Sequence, residues 1–219
     1  VNVPQYYELA WENIYGAQMF TGATDAAART AATNNLIAFL GGYNAYDVAD
    51  NAVVDNQGKA TTTGNLLWKD NWFDEMHRVG LRQDYSLSAT GGKDKTSYYL
   101  SANYLKDEGI VKASNYDRFT VRVNAETQTR EWLKLGINAS ASTSTQNYPN
   151  SSGSSYVNSF MWSRNIAPIY PVYLYDLDGK LQIDPVTGKK IFDYGDAYGR
   201  ARTYSANSNP LGVISLDKR

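Results

Sequence analysis

Two stretches in the middle of the chain alternate between apolar and polar residues, and this pattern restricts the fold more than any other feature. From Phe119 to Thr127 the odd positions carry mostly apolar side chains, and the even positions carry polar or charged ones. From Leu133 to Thr143 the same alternation recurs. Because successive side chains of a β-strand point to opposite faces, this period of two predicts strands with one apolar and one polar face.

Weaker alternation precedes these stretches, from Asp84 to Thr90 and from Ser97 to Leu105. The sequence therefore predicts four consecutive antiparallel strands. Their connections alternate in length: short at 91–96 and 128–131, long at 106–115 and after Tyr148.

Short turns on one side and long loops on the other are typical of an outer-membrane β-barrel. A strand of about 11 residues, at roughly 3.3 Å per residue and tilted near 40°, spans some 28 Å, close to the hydrocarbon thickness. A soluble antiparallel sheet with one packed face shows the same alternation, so the pattern alone leaves both folds open. No apolar run reaches the ~18 residues of a membrane-spanning helix, and a helical membrane protein is not expected.

Helical signals occupy the first forty residues. Pro4 stands where a first helical turn tolerates proline, and apolar residues follow it at helical spacing. A second helix is predicted from near Thr24 to Gly41-Gly42, and Trp72–Met76 is predicted to form one more helical turn. The chain is accordingly divided into a loop region with short helices (1–80), early barrel strands with their turns (81–147) and a long loop (148–219).

Composition excludes several kinds of chemistry. There is no Cys, so disulfides and thiolate metal sites are excluded, and His77 is the only histidine. A formal net charge of −1 provides no basic field for nucleic acid. The run Asp176-Leu177-Asp178-Gly179 opens like a calcium loop but lacks the later ligands, so a plain turn is expected. We predict no catalytic residue, metal ligand or cofactor, and no enzymatic activity.

One aromatic cluster in the long loop has two interpretations. Aromatic faces stack on sugar rings or peptide side chains, and an arginine can bind a carboxylate with two hydrogen bonds. A long loop also needs a small apolar core of its own, so packing is the other interpretation. The candidate ligand-contact residues are Trp162, Arg164, Tyr170, Tyr173 and Tyr175.

Several strings of residues, in a fixed order, resemble those of one transporter family. They are residues 71–80 (NWFDEMHRVG), 83–92 (QDYSLSATGG), 104–111 (YLKDEGIV) and 116–120 (YDRFT), with a likeness to the family's long extracellular loop at 163–173 and 207–210. On these motifs the chain resembles the SusC/RagA family of TonB-dependent (TonB-linked) outer-membrane transporters.

The resemblance implies a mainly β fold: a partial antiparallel transmembrane β-barrel of about four strands, with long extracellular loops that carry short helices. It implies import of oligosaccharides or peptides across the outer membrane of a Bacteroidota-type Gram-negative bacterium. TonB would supply the energy, and a SusD-like surface lipoprotein would be the partner. The chain would then be an internal fragment of a longer transporter. A soluble all-β glycan-binding module is the alternative.

In the barrel interpretation, one face of the strands meets outer-membrane lipid and the other lines a wet lumen. The predicted lipid-facing residues are Phe119, Val121, Val123, Leu133, Leu135 and Ile137. The predicted lumen-facing residues are Arg122, Asn124, Lys134 and Asn138.

Overall fold

The computed structural model describes residues 1–149 and 158–216, and the chain divides into two compact units. Among these residues, the helical unit comprises Val1–Met76 and 158–216, and the sheet unit comprises His77–Pro149. Residues 150–157 and 217–219 of the predicted long loop lie outside the described residues.

Four antiparallel strands form the sheet unit, in the order β1-β2-β3-β4. This confirms the prediction of four consecutive antiparallel strands, and each strand is longer than the alternating pattern indicated. The sheet is open, because β1 and β4 form its two edges within the described part of the chain. The strands are β1 (Arg82–Lys93), β2 (Thr96–Glu108), β3 (Asn115–Arg130) and β4 (Leu133–Asn147).

The short connections are tighter than predicted. Only Asp94 and Lys95 join β1 to β2, and Asp94 has a φ of 54°, the left-handed conformation that a two-residue hairpin favours. Gly91 and Gly92, which the sequence pattern placed in the turn, belong to β1 and pair with β2. Two residues are enough to reverse the chain, so the ladder continues through both glycines.

Helices α1 (Val3–Phe20) and α2 (Asp25–Phe39) confirm the two predicted at the start of the chain. The Asn2 side chain accepts a hydrogen bond from the Gln5 N–H, and the Gln5 side chain accepts one from the Asn2 N–H. This reciprocal capping satisfies two backbone donors at the start of α1. The shorter helices are a 3₁₀ turn (Asp50–Ala52), α3 (Trp72–Met76), α4 (Ser159–Asn165) and α5 (Pro210–Leu216).

No helix in residues 1–149 or 158–216 is both long enough and apolar enough to cross a bilayer.

The helical unit has its own hydrophobic core, rich in aromatic side chains. Tyr7 and Trp11 of α1 and Leu36 of α2 are buried there with Trp72 and Trp162. Large side chains of this kind contribute most of the apolar area that a domain buries, so this core stabilises the unit.

Two tryptophans join residues 68–72 to the segment 169–175. The Trp68 Nε1–H donates to the carbonyl oxygen of Ile169 at 3.0 Å. The Trp72 Nε1–H donates to the carbonyl oxygen of Tyr170 at 2.8 Å. Both hydrogen bonds are buried, so each indole satisfies its one donor while its rings remain in the core.

The Asp70 carboxylate fixes the same segment from one side. Its Oδ2 accepts from the backbone N–H groups of Val172 and Tyr173, at 3.0 and 3.1 Å. Its Oδ1 accepts from the Tyr175 hydroxyl at 2.9 Å. Hydrogen bonds to a charged acceptor are stronger than neutral ones, so one side chain orders four residues of loop.

A buried ion pair lies elsewhere in this core. Arg202 Nη2 is 3.3 Å from Asp193 Oδ1, and both side chains are fully buried. The Tyr43 hydroxyl also donates to Asp193, at 3.3 Å. The guanidinium carbon of Arg202 lies 5.7 Å from the Trp72 ring centre and 5.6 Å from that of Trp162. Burial raises the pKa of the Asp193 carboxyl, against the opposite effect of Arg202, and removal of either partner would leave the other charge buried without its counterion.

We expect Gly41→Ala to destabilise the helical unit strongly. Gly41 has a φ of 73°, and a Cβ there would lie 1.7 Å from the carbonyl oxygen of Ala201. The free energy of unfolding, measured by urea denaturation with tryptophan fluorescence in detergent, should fall by about 3 kcal/mol or more. Gly22→Ala is the matched control, because Gly22 has a φ of 89° but nothing within 4 Å of an added Cβ. It should cost only about 1–2 kcal/mol, and equal losses would contradict the steric argument.

Asp70→Asn should lower the free energy of unfolding by about 1–3 kcal/mol, because an amide cannot accept with both of its terminal atoms. The same urea titration measures it. The control is Asp196→Asn, because Asp196 is exposed and has no side-chain hydrogen bond or ion pair within the described ranges. This substitution should change the free energy of unfolding by no more than about 0.5 kcal/mol. A D70N protein as stable as D196N would show that the carboxylate does not order the segment.

Candidate functional site

Most apolar side chains of the four strands share one face of the sheet; Leu105, which is buried, lies on the other. The strand register places most of them opposite an apolar partner, with exceptions such as Phe119 opposite Thr143 and Leu135 opposite Thr127. Rows of paired residues run across the sheet, such as Leu87–Ala102–Val121–Ala141 and Ala89–Leu100–Val123–Ala139.

This face is exposed to solvent in the structure. Leu87 is 77% exposed, Ile137 is 61% exposed and Val123 is 37% exposed. A soluble sheet would bury such a face against a second layer, as the helical unit buries its own apolar side chains. The soluble-module interpretation is therefore not favoured. A continuous exposed apolar face marks a surface that another apolar phase or partner covers.

Aromatic residues lie at both ends of the apolar face. Tyr85, Tyr104 and Phe119 pair across three strands, near the strand ends that the longer β2–β3 connection joins. Tyr98 lies near the opposite ends of the strands, where Trp132 forms part of the β3–β4 turn. Sequence analysis did not assign a role to the three tyrosines, although they alternate in phase with the apolar residues of β1 and β2.

The opposite face of the sheet is polar. Lys134 Nζ lies 2.6 Å from Glu126 Oε1, and Asn103 donates to Asp84 at 2.6 Å. Asn124 and Asn138 are direct cross-strand partners. Hydrogen bonds and ion pairs of this kind keep a face compatible with water.

The structure separates the two predicted sets of strand residues. On β3 and β4 the apolar set alternates with the polar set, so the two sets lie on opposite faces. Contact of one set with lipid and of the other with a lumen stays a prediction. The apolar set is Phe119, Val121, Val123, Leu133, Leu135 and Ile137, and the polar set is Arg122, Asn124, Lys134 and Asn138.

The aromatic cluster of the long loop is mostly interior. Trp162 and Tyr170 are each 1% exposed, and Trp162 packs 5.3 Å from the Trp72 ring centre. Tyr173 is also buried, and its hydroxyl donates to Glu75 at 2.7 Å. Burial and the neighbouring carboxylates raise the pKa of this phenol well above its usual value, so it stays protonated. A packing role is thus visible for these three residues.

The other two members of the cluster differ. Tyr175 is half-buried and donates to Asp70, whereas Arg164 is exposed at the end of α4. Ligand contact by the cluster stays a prediction, and Arg164 is the member whose charged group is open to a ligand.

The described residues of the helical unit form an Arg164 cleft and an Arg200 cleft. The Arg164 cleft, about 710 Å³, lies between the first turn of α1, residues 66–72 and residues 163–168. The Arg200 cleft, about 500 Å³, is lined by acidic residues including Asp47, Asp50 and Asp178, with Arg200 beside them. Across the described residues, no three His, Cys, Asp or Glu side chains are grouped to hold a metal ion. Both volumes are in the range of small-molecule sites.

Comparison with known proteins adds a second line of observation. No family model matches the sequence. The chain is 34% identical over 76 residues to TonB-dependent receptor P3 of Formosa agariphila, a match that covers 35% of this chain and 8% of that receptor. It is 37% identical over 87 residues to TonB-dependent receptor SusC of Bacteroides thetaiotaomicron, covering 34% of this chain and 9% of SusC.

The matches thus span less than a tenth of the length of these relatives. A further receptor of Formosa agariphila, P26, is 34% identical over 68 residues. All of these relatives carry the name TonB-dependent receptor, in agreement with the motifs at residues 71–120. About a third of the chain is therefore similar to a short segment of TonB-dependent receptors, SusC among them.

Proposed function

We propose that this chain forms part of an outer-membrane transporter that imports oligosaccharides or peptides. The observation that carries the proposal is the exposed apolar face of the sheet, continuous over four strands and bounded by aromatic residues at both ends. In the proposed setting this face contacts the hydrocarbon of the outer membrane, and the polar face lines the lumen of a barrel.

The dimensions of the face support this placement. Tyr104 lies six positions after Tyr98 along β2, which corresponds to about 20 Å at roughly 3.3 Å per residue. Aromatic girdles flank an apolar band of about 25 Å in membrane barrels, because amphipathic rings prefer the interface between lipid and water. Tyr85, Tyr104 and Phe119 would form part of one girdle, with Tyr98 and Trp132 near the other.

The open edges of the sheet support the same proposal. β1 and β4 each present a row of backbone groups that pair with no other described strand. In lipid such groups need partners, so a barrel closes its sheet with further strands. We propose that other parts of a longer receptor pair with β1 and β4, and that the helical unit belongs to its extracellular loops.

The names of the relatives support energy transfer from TonB and a transport role rather than catalysis. The likeness to SusC supports an outer-membrane location in a Bacteroidota-type bacterium. A SusD-like surface lipoprotein as partner, and an oligosaccharide or peptide as cargo, follow from the family resemblance and are part of the proposal.

Cysteine labelling tests the orientation of the sheet, because these 219 residues contain no cysteine that would compete with an introduced one. Any cysteine elsewhere in the receptor is first replaced by serine. In the intact receptor, Leu87→Cys, Val123→Cys and Ile137→Cys should react slowly with a membrane-impermeant maleimide. A fluorophore attached at these positions should be quenched by nitroxide-labelled lipid.

The matched controls are neighbours on the opposite face: Ser88→Cys, Arg122→Cys and Asn138→Cys. They should react at least tenfold faster and escape quenching by lipid. Equal labelling of both sets, with no quenching by lipid at either, would reject the membrane placement.

A further inference from the structure

The Arg164 cleft combines a preformed shape with an excess of positive charge. Its walls come from three separate segments of the helical unit. The capping of α1 by Asn2 fixes one wall. The indole hydrogen bonds of Trp68 and Trp72 fix another wall. A cleft with fixed walls binds a ligand without the cost of ordering a loop.

Lys69 and Arg164 supply the charge. Both are exposed at the cleft, and neither forms an ion pair or side-chain hydrogen bond within residues 1–149 and 158–216. Asp70 is the only carboxylate among the lining side chains. Its two oxygens already accept three hydrogen bonds, from the Val172 and Tyr173 N–H groups and from the Tyr175 hydroxyl.

The rest of the lining suits a polar molecule with an apolar side. Asn71 and Asn165 contribute amide groups, while Tyr6 and Pro168 contribute half-buried apolar surface. The Arg200 cleft has the opposite character, because carboxylates outnumber basic groups there. The two clefts would therefore select ligand groups of opposite charge.

We infer that the Arg164 cleft binds a carboxylate-bearing unit of the imported ligand, with Arg164 and Lys69 as its counterions. A guanidinium group presents two parallel N–H donors that match a carboxylate, and an ammonium group adds a second charge. The carboxylate has two sources, a uronic acid of an oligosaccharide or an acidic peptide. The inference rests on the proposed transport function and narrows its substrate class to acidic ligands.

Isothermal titration calorimetry on the full 219-residue chain in detergent, at low salt, tests the inference. The probes are trigalacturonate, triglutamate and the neutral sugar maltotriose. At least one acidic probe should bind at least tenfold more tightly than maltotriose. Its affinity should fall as NaCl is raised from 50 to 300 mM, because exposed charges are screened. Binding of trigalacturonate alone identifies a glycan source, and binding of triglutamate alone identifies a peptide.

Lys69→Gln and Arg164→Gln should each lower the affinity for the acidic probe by about tenfold, since each removes one charge-assisted contact. Lys189→Gln is the matched control, because Lys189 is exposed on the same unit and does not line the cleft. The affinity of the K189Q protein for the acidic probe should change less than twofold. Circular dichroism checks that all variants are folded.

Three results would overturn the inference: equal binding of acidic and neutral probes, no binding of either acidic probe, or full affinity in both K69Q and R164Q. None of these results bears on the proposed membrane placement, which the cysteine labelling of the sheet tests separately.

Discussion

Every functional conclusion depends on one constraint, the placement of apolar side chains at alternate positions of four strands in matching register. A single residue of slippage between two strands would move one strand's apolar set to the polar face. The observed register instead aligns Leu87, Ala102, Val121 and Ala141 in one row. This apolar face is exposed, and contact between a continuous apolar surface and water is unfavourable. An outer-membrane setting supplies an apolar phase, which is why the exposed face and the receptor relatives lead to the same proposal.

The helical unit instead buries a core of large apolar side chains within itself, although others such as Phe20 and Val186 are exposed. Its interior also holds polar groups that would be costly if unpaired, above all the Asp193–Arg202 ion pair and the Asp70 carboxylate. The two carboxylates accept hydrogen bonds, and Arg202 donates to Asp193 through Nη2. Its Nε and Nη1 have no hydrogen-bond partner among the described residues, and the guanidinium lies instead near the rings of Trp72 and Trp162. One chain thus contains two units whose surfaces suit different surroundings.

Local signals were sufficient for the strands and the first two helices, because alternation, capping residues and Gly41-Gly42 act between near neighbours. Turn lengths were harder to predict from the sequence. Gly91 and Gly92 were expected in a turn but lie in β1, because a pair of glycines is compatible with a turn and with a strand. The burial of Trp162 and Tyr170 depends on contacts with residues about 90 to 130 positions away, such as Trp72 and Leu40. The role of Asp70 depends on Val172, Tyr173 and Tyr175 in the same way. No pattern within one window of sequence encodes these long-range pairs.

The order of the strands also matters for how such a sheet is made. Each strand pairs only with the strand that precedes or follows it in the chain, and the three connections contain two, six and two residues. Pairings this local have a small loop-closure cost, so one hairpin can serve as the template for the next. A sheet with this topology can be assembled one hairpin at a time, and each newly paired strand offers its free edge to the strand that follows it in the chain.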